Sequence, residues 1–307
     1  PKNAFNPVEI KDMILSKANQ LKGKSTHNKP QLTHWKKLNH IIQSPSHLIL
    51  TLKNKAFLWK YRYSLVKNSK ALCKLLRSID WGNEIQVNEC IDILLPQWIE
   101  IDLISALDLL SYEFHHQEIR LHAIKRLQRA SLQEILLYLP QLVQALQYET
   151  SMNALSNFLT SFSLNNIEKK NGTLSYLYFW LLQVEASKIT SKNAKNNIYK
   201  VILKDYCESL QQVDIKLYHS ILAQQYLLEQ LQSLMKEIKD FRGKVEKKII
   251  KLRTLIEQDI EFQRLQSFQS IPLPWQPNIT IHALIASKSI LFKSQLTPLL
   301  CYFQANG

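Results

Sequence analysis

Lys53-Asn54-Lys55-Ala56-Phe57-Leu58-Trp59-Lys60-Tyr61-Arg62-Tyr63-Ser64-Leu65 sets Phe57, Leu58, Tyr61 and Leu65 at the spacing of an α-helix with one apolar face. Asn68-Ser69 interrupts it, and a second stripe of Leu72, Leu75, Leu76 and Ile79 follows at once. Asp80-Trp81-Gly82-Asn83 ends that stripe, with Gly82 in the place of a C-terminal helix stop. Downstream the pattern recurs over residues 85–95, 103–110 and 119–127, with Asp102 as an N-cap. Ser131 and Glu134 form a capping-box pattern ahead of Ile135, Leu136, Leu139, Leu142, Val143 and Leu146. Pro140 within that stretch predicts two helices or one kinked helix, because proline cannot donate a backbone hydrogen bond. Further helices are predicted over 152–162, 174–185, 198–210, 215–238 and, beyond Gly243, 245–256.

Composition agrees. Only 5 of 307 residues are glycine, and 46% are hydrophobic, which favours helices and supplies a sizeable core. Short helices joined by short turns predict a mainly α fold, an α-α superhelix or solenoid of antiparallel helix pairs. No strict repeat period is present. Upstream, residues 21–40 combine Lys22, Lys24, Lys29, Lys36 and Lys37 with Gly23, Ser25 and Pro30, and read as a linker ordered by docking.

The character changes after Ser270. Ile271-Pro272-Leu273-Pro274-Trp275-Gln276-Pro277 excludes a helix and a central strand. Ile279, Ile281 and Ala283 alternate with Thr280 and His282 as in a strand, and residues 299–303 read as a second strand. Phe292-Lys293-Ser294-Gln295 lies between them. An α/β domain starts here, and about 35 residues are too few to bury a core of their own. Both ends of the chain read as internal boundaries of a longer polypeptide.

The formal net charge is +14. Residues 13–79 hold 14 Lys and Arg and no Asp or Glu, so the remaining 25 basic residues balance all 25 acidic ones. The whole excess is N-terminal. It would be drawn to an anionic surface such as acidic lipid; a solvated face, or one neutralised by an acidic partner domain, is the ordinary alternative. Cys73, Cys90, Cys207 and Cys301 are widely spaced without a CxxC, which suggests neither a disulfide framework nor a zinc site and fits a reducing cytosol. No apolar run is long enough for a membrane span, and no signal-peptide pattern is present.

One ordered set of motifs goes further. Ala56-Phe57-Leu58-Trp59-Lys60-Tyr61-Arg62-Tyr63 is followed by Asn68, Lys70-Ala71-Leu72, Ile79-Asp80-Trp81, Trp98 and Ile101-Asp102. Then come Ala106-Leu107-Asp108-Leu109-Leu110-Ser111, Ile119-Arg120, Ala123, Arg126-Leu127, Tyr138-Leu139, Gln141-Leu142-Val143-Gln144-Ala145-Leu146 and Tyr148-Glu149. This order resembles the accessory helical domain of phosphatidylinositol 3- and 4-kinases. The Trp-Lys-Tyr-Arg-Tyr stretch, residues 174–180 and Val184-Glu185 point to the class III 3-kinase family rather than a 4-kinase. Asn6-Pro7-Val8-Glu9 and Lys11 resemble the junction after that family's membrane-binding β-sandwich. Ile271-Pro272-Leu273-Pro274 and Phe292-Lys293-Ser294 with Leu296 and Pro298 resemble entry into its kinase N-lobe. Departures are Pro140 in place of an apolar helix former, Lys53 and Lys55 where acids are usual, and Ala286-Ser287 in place of proline and an acid.

The resemblance implies four segments: a linker at 1–48 after the β-sandwich, the accessory helical (PIK) domain at 49–232, a long helix joining to the kinase domain at 233–270, and the truncated start of the N-lobe at 271–307. It implies a lipid kinase that moves the ATP γ-phosphate to the inositol 3-hydroxyl with Mg2+ or Mn2+, in endosomal trafficking and autophagy. The implied setting is cytoplasmic and peripheral on endosomal or autophagosomal membranes. Implied partners are a phosphatidylinositol membrane, a regulatory pseudokinase-scaffold subunit and coiled-coil adaptors, without nucleic acid. The ATP-anchoring Lys, the catalytic-loop Asp and His and the metal-binding Asp are not assigned in this chain, so the chain alone is expected to be inactive and to bind neither cofactor. Only the turn Phe292, Lys293 and Ser294 carries over as a nucleotide site. From its residues alone it offers backbone donors, a hydroxyl and a cation, which suits a phosphate but equally a plain loop.

Other candidates are weaker. His115, His116 and His122 are poorly placed to share one metal on a helix. Asp102/Asp108 and Glu113/Glu118 read as helix-surface acids. Trp59, Trp81, Trp98 and Trp180 read as packing between helices, as do Tyr176, Tyr178 and Phe179. The competing reading is a non-catalytic helical-repeat protein that binds anionic lipid or nucleic acid through its basic segment.

Overall fold

The computed structural model describes residues 29–45, 48–149, 153–188, 197–294 and 297–306. The expected junction motif at residues 6–11, the start of the basic segment at 13–28, Met152, Gln295 and Leu296 lie outside the described residues. The fold is mainly α, followed by a short strand region, and divides into two compact units, Pro1–Leu155 and Ser156–Gly307.

The first unit contains α1 (Leu32–Gln43), α2 (Leu52–Lys60), α3 (Arg62–Leu65), α4 (Leu72–Leu76), α5 (Glu84–Asn88), α6 (Leu95–Gln97), α7 (Leu103–Leu109), α8 (Gln117–Leu127) and α9 (Leu132–Ala145). The expected linker over 21–40 is helical from Leu32. Leu38, Ile41 and Ile42 fall on one face of α1 and are buried. That stripe outweighs the polar composition around it.

Capping follows the residues that predict it. Asp102 accepts from the Ser105 amide at 2.7 Å, and Ser131 and Glu134 complete a capping box at the start of α9. Gly82 does not close a helix: α4 ends at Leu76, and Gly82 sits in a turn where its amide donates to Asp80. Between α5 and α6 the helix widens to a π register over Glu89–Leu94, immediately before Pro96, which has no amide to donate back into the helix.

Pro140 does not divide α9. The helix is continuous across it, and Pro140 is on the exposed face while Ile135, Leu139, Leu142 and Val143 are buried. The carbonyl that loses its amide partner belongs to Leu136 on the preceding turn; the apolar face holds the helix together, and proline's cost falls on the solvent side.

Three arginines organise this unit, through contacts that their places in the sequence do not reveal. Arg120 is 2% exposed; its guanidinium donates to the Leu110 carbonyl at 2.9 Å and the Ala145 carbonyl at 3.4 Å, satisfying the C-terminal ends of α7 and α9. Arg77 makes a two-pronged pair with Asp108 at 2.7 and 2.8 Å, a third bond to Glu113 at 2.5 Å, and lies over the Phe114 ring. Asp108 and Glu113 are therefore not plain surface acids. Arg62 pairs with Glu89 at 2.6 Å and stacks between Trp59 and Tyr63, whose hydroxyl also donates to Glu89. Trp59 and Trp98 are buried as expected. Trp81 is not: it is 40% exposed and lies beside the ring of His116.

The second unit contains α10 (Ala154–Leu164), α11 (Thr173–Lys188), α12 (Ile198–Val213), α13 (Ile215–Asp240) and α14 (Val245–Gln258). Consecutive helices pack side by side, α11 on α12 and α12 on α13. Asn197 and Asp214 cap α12 and α13 with their side chains. Gly172, just before α11, has φ 71°, and a Cβ there would stand 2.5 Å from Leu217 Cδ1. Only glycine fits that close approach without strain. A buried hydroxyl cluster links three helices: Ser163 Oγ lies 3.0 Å from both Ser175 Oγ and the Tyr206 hydroxyl.

The strand region comprises β1 (Ile271–Leu273), β2 (Gln276–Leu284), β3 (Ile290–Leu291), β4 (Leu299–Leu300) and β5 (Phe303–Asn306). One antiparallel sheet has the order β1-β2-β5, and β3 pairs with β4 in a separate hairpin. Two expectations change here. Pro277 lies inside the central strand β2, tolerated because the ladder to β5 begins only at Thr280. Residues 299–303 are not one strand but are split between the two sheets. The small sheet does not stand alone. Ile271, Ile281, Leu284 and Leu291 share a core with Leu227, Leu234 and Ile238 of α13 and Leu252, Leu255 and Ile256 of α14. The helices supply the apolar surface that so few strand residues lack.

Candidate functional site

The candidate turn, Phe292, Lys293 and Ser294, follows β3 and leads to β4. Leu291 anchors it: this side chain is 4% exposed and sits in the core shared with α14. Before β3, residues 285–289 form a turn in which the Ser289 amide and hydroxyl both donate to the Ile285 carbonyl. Ser289 is fully buried, so the hairpin leaves the core from a fixed base.

Beyond Leu291 the side chains face outward. Phe292 is 49% exposed, and Lys293 and Ser294 are exposed. The Phe292 amide donates to the Pro298 carbonyl at 3.0 Å, extending the hairpin by one rung. The Ser294 amide donates to the Phe292 carbonyl at 3.0 Å, and the Thr297 amide donates to the Ser294 carbonyl at 3.1 Å. Three backbone donors are thus turned into the hairpin. With the Phe292 and Ser294 amides committed in this way, the three candidate residues present their side chains. They offer the Lys293 ammonium, the Ser294 hydroxyl and an open aromatic face on Phe292. No carboxylate pairs with Lys293 among the described residues. An unpaired ammonium beside a hydroxyl at a hairpin tip can contact phosphate oxygens with charge-assisted bonds.

The structure brings these three residues together because they are adjacent in sequence. The first strand of the region is held by a residue distant in sequence. Gln224 of α13 is 3% exposed. Its Nε2 donates to the Pro272 carbonyl of β1 at 2.7 Å, and its Oε1 accepts from Trp180 Nε1 of α11 at 2.7 Å. One side chain ties two helices to the first strand, and Pro272 can accept there although it cannot donate. Sequence reasoning did not single out Gln224. Its only signal is a glutamine on the otherwise apolar face of α13 that carries Leu217, Ile221 and Leu227.

The four cysteines are free thiols, and burial pushes those of Cys207 and Cys301 up to about 11, away from the range of a reactive thiolate. Among the described residues no three His, Cys, Asp or Glu side chains are grouped to hold a metal, and no helix is long and apolar enough to cross a membrane. No metal ligand is assigned in this chain.

Residues 26–219 match the accessory domain (PIK domain) of the phosphoinositide 3-kinase family. The chain is 33% identical over 306 residues to phosphatidylinositol 3-kinase pik3 of Schizosaccharomyces pombe, covering 98% of this chain and 38% of that protein. It is 32% identical over 305 residues to phosphatidylinositol 3-kinase VPS34 of Arabidopsis thaliana, covering 97% of this chain and 36% of that protein. With phosphatidylinositol 3-kinase VPS34 of Saccharomyces cerevisiae it shares 39% identity over 144 residues, 47% of this chain and 16% of that protein. The chain spans less than two fifths of the length of these relatives.

Proposed function

The chain belongs to the phosphoinositide 3-kinase family through its accessory domain, and on that premise we propose that it is the helical scaffold, with the beginning of the kinase N-lobe, of a class III phosphatidylinositol 3-kinase. The observation that carries this reading is the pairing of a PIK-domain match over residues 26–219 with a following strand region whose core is completed by α13 and α14. A helical-repeat binding protein has no use for such a sheet. The proposed organisation is a linker leading into an accessory helical domain, α13 and α14 as the joint, and the N-lobe entry from Ile271.

The whole enzyme transfers the ATP γ-phosphate to the 3-hydroxyl of phosphatidylinositol. Phosphoryl transfer of this kind depends on holding the phosphates in line and offsetting their charge, with Mg2+ or Mn2+ bound to the nucleotide. Within this chain, Lys293 supplies a cation to the phosphates, Ser294 a hydroxyl, and Phe292 an apolar surface beside the nucleotide. The packing of β1 and β3 on α13 and α14 holds that hairpin in place. The family resemblance implies that the proton-handling and metal-binding groups belong to parts of the enzyme outside this chain, so the chain alone does not turn over. The substrate places the enzyme on cytoplasmic membranes of the endosomal and autophagic system, with a pseudokinase-scaffold subunit and coiled-coil adaptors as partners.

The test is product regiochemistry. The full-length polypeptide containing this chain is given ATP and phosphatidylinositol vesicles, and the lipid product is identified. Phosphate at the 3-position supports the reading. Phosphate at the 4-position, or turnover by the 307-residue chain alone, overturns it.

A further inference from the structure

The basic segment, over its described residues 29–45 and 48–79, does not spend its whole charge inside the fold. Three of its described cations are committed: Arg62 to Glu89, Arg77 to Asp108 and Glu113, and Lys74, which is buried and donates to the Pro45 carbonyl at 2.8 Å. Lys36, Lys37, Lys53, Lys60, Lys67 and Lys70 are exposed, and none has a carboxylate partner among the described residues.

Several of these lysines share one strip. Lys37 Nζ of α1 stands 4.5 Å from the centre of the Phe57 ring of α2. Phe57 packs edge-on against Tyr61 at 5.1 Å, and Lys60 Nζ lies 5.5 Å from the Tyr61 ring. Lys53 is one helical turn before Phe57. Aromatic rings thus hold Lys37 and Lys60 along the α1–α2 edge, and Lys53 lies exposed on the same helix as Lys60.

The connection between these two helices carries an apolar run, Leu48-Ile49-Leu50, just before α2. Ile49 is 94% exposed, and Leu48 and Leu52 are each half exposed, while Leu50 between them is buried and anchors the loop. A single exposed aliphatic side chain is ordinary, but three within five residues beside a lysine strip form a patch with a cationic rim. Aliphatic side chains that enter the acyl boundary, flanked by ammonium groups at headgroup level, are the chemistry of a peripheral membrane contact.

We propose that the α1–α2 edge is a contact surface for anionic phospholipid bilayers, with Ile49 and its leucine neighbours entering the interface and Lys37, Lys53 and Lys60 meeting the headgroup charge. The composition favours lipid over nucleic acid or a phosphorylated protein. Both arginines of the segment are locked in ion pairs, and those are the side chains suited to two-pronged recognition of a phosphate or a base. The exposed aliphatics offer nothing to stack on a base. What remains is a set of lysine point charges around an aliphatic tip, which suits a diffuse anionic surface. This contact is independent of the kinase reading.

The test is flotation of the 307-residue chain with phosphatidylcholine vesicles that contain or lack phosphatidylserine. The unaltered chain partitions preferentially to the phosphatidylserine vesicles. Lys37→Glu/Lys53→Glu/Lys60→Glu lowers that partitioning by about two orders of magnitude, at roughly fivefold for each lysine lost. Ile49→Asp lowers it without touching a lysine. A charge-matched control, Lys200→Glu/Lys236→Glu/Lys239→Glu on exposed positions of α12 and α13, keeps it. All of these positions are exposed, and thermal unfolding by circular dichroism verifies that each variant folds. No preference of the unaltered chain for phosphatidylserine overturns the proposal. So does an equal loss in the control, or a strip variant that keeps vesicle binding while losing affinity for single-stranded RNA.

Discussion

Gln224 and Pro272 are 48 positions apart in sequence and joined by a 2.7 Å hydrogen bond from the glutamine amide to the proline carbonyl. With the acceptance from Trp180 on its other side, this buried amide is where the helices grip the first strand.

Gln224→Leu keeps the volume and removes both bonds. It leaves Trp180 Nε1 and the Pro272 carbonyl without partners, at about 1–3 kcal/mol each. Urea unfolding is expected to show a loss of about 2–4 kcal/mol, and hydrogen exchange is expected to quicken first in β1 and β2. A double-mutant cycle with Trp180→Phe should be non-additive. Additive effects would show that the glutamine does not act as a bridge.

Arg77 and Arg129 make a contrasting pair. Arg77 is 14% exposed and holds Asp108 and Glu113, whereas Arg129 is 71% exposed and pairs with the half-exposed Glu100. Arg77→Ala is predicted to cost about 2–4 kcal/mol, because two carboxylates are left facing each other in a partly buried site. Arg129→Ala is predicted to stay within about 0.5 kcal/mol. Paired thermal melts decide, and equal effects would contradict the assignment of Arg77 as an organising residue.

Helix existence was largely legible, and the reason is physical. Over residues 103–146 the apolar stripes, the Asp102 cap and the Ser131–Glu134 capping box all point the same way. The α1 helix was hidden by lysines and Pro30, although Leu38, Ile41 and Ile42 already carried its stripe. The Pro277 error came from treating a strand residue as necessarily a ladder residue. For the candidate site, Phe292, Lys293 and Ser294 stood out only through their resemblance to a family. Their inward-turned amides depend on hairpin register, which adjacent residues do not reveal. Gln224, Arg77 and Arg120 are tertiary: each matters because of residues far away in sequence.

Alkali should weaken the second unit. Burial pushes the Tyr206 hydroxyl up to about 12 from an ordinary value of 10.0, and the Cys207 and Cys301 thiols up to about 11 from 9.0. Each group holds its proton longer when folded than when unfolded. Their contribution is therefore complete below pH of about 9 and is lost as pH rises from there towards about 12. Tyr206→Phe should flatten the decline above pH of about 10 while lowering neutral-pH stability by about 1–2 kcal/mol through its lost hydroxyl bonds. An unchanged slope would mean that Tyr206 is not the group titrating.

The most direct measurement of the central claim is the steady-state kinetics of Lys293→Ala in the full-length polypeptide, with ATP varied against saturating phosphatidylinositol vesicles. A cation that meets the nucleotide phosphates contributes about 1.5–3 kcal/mol. The predicted result is a rise in the KM for ATP of about ten- to a hundredfold, with the KM for lipid unchanged and little rescue by Lys293→Gln. An ATP KM equal to that of the unaltered enzyme would contradict the account, because the hairpin beyond Leu291 would then not face the nucleotide.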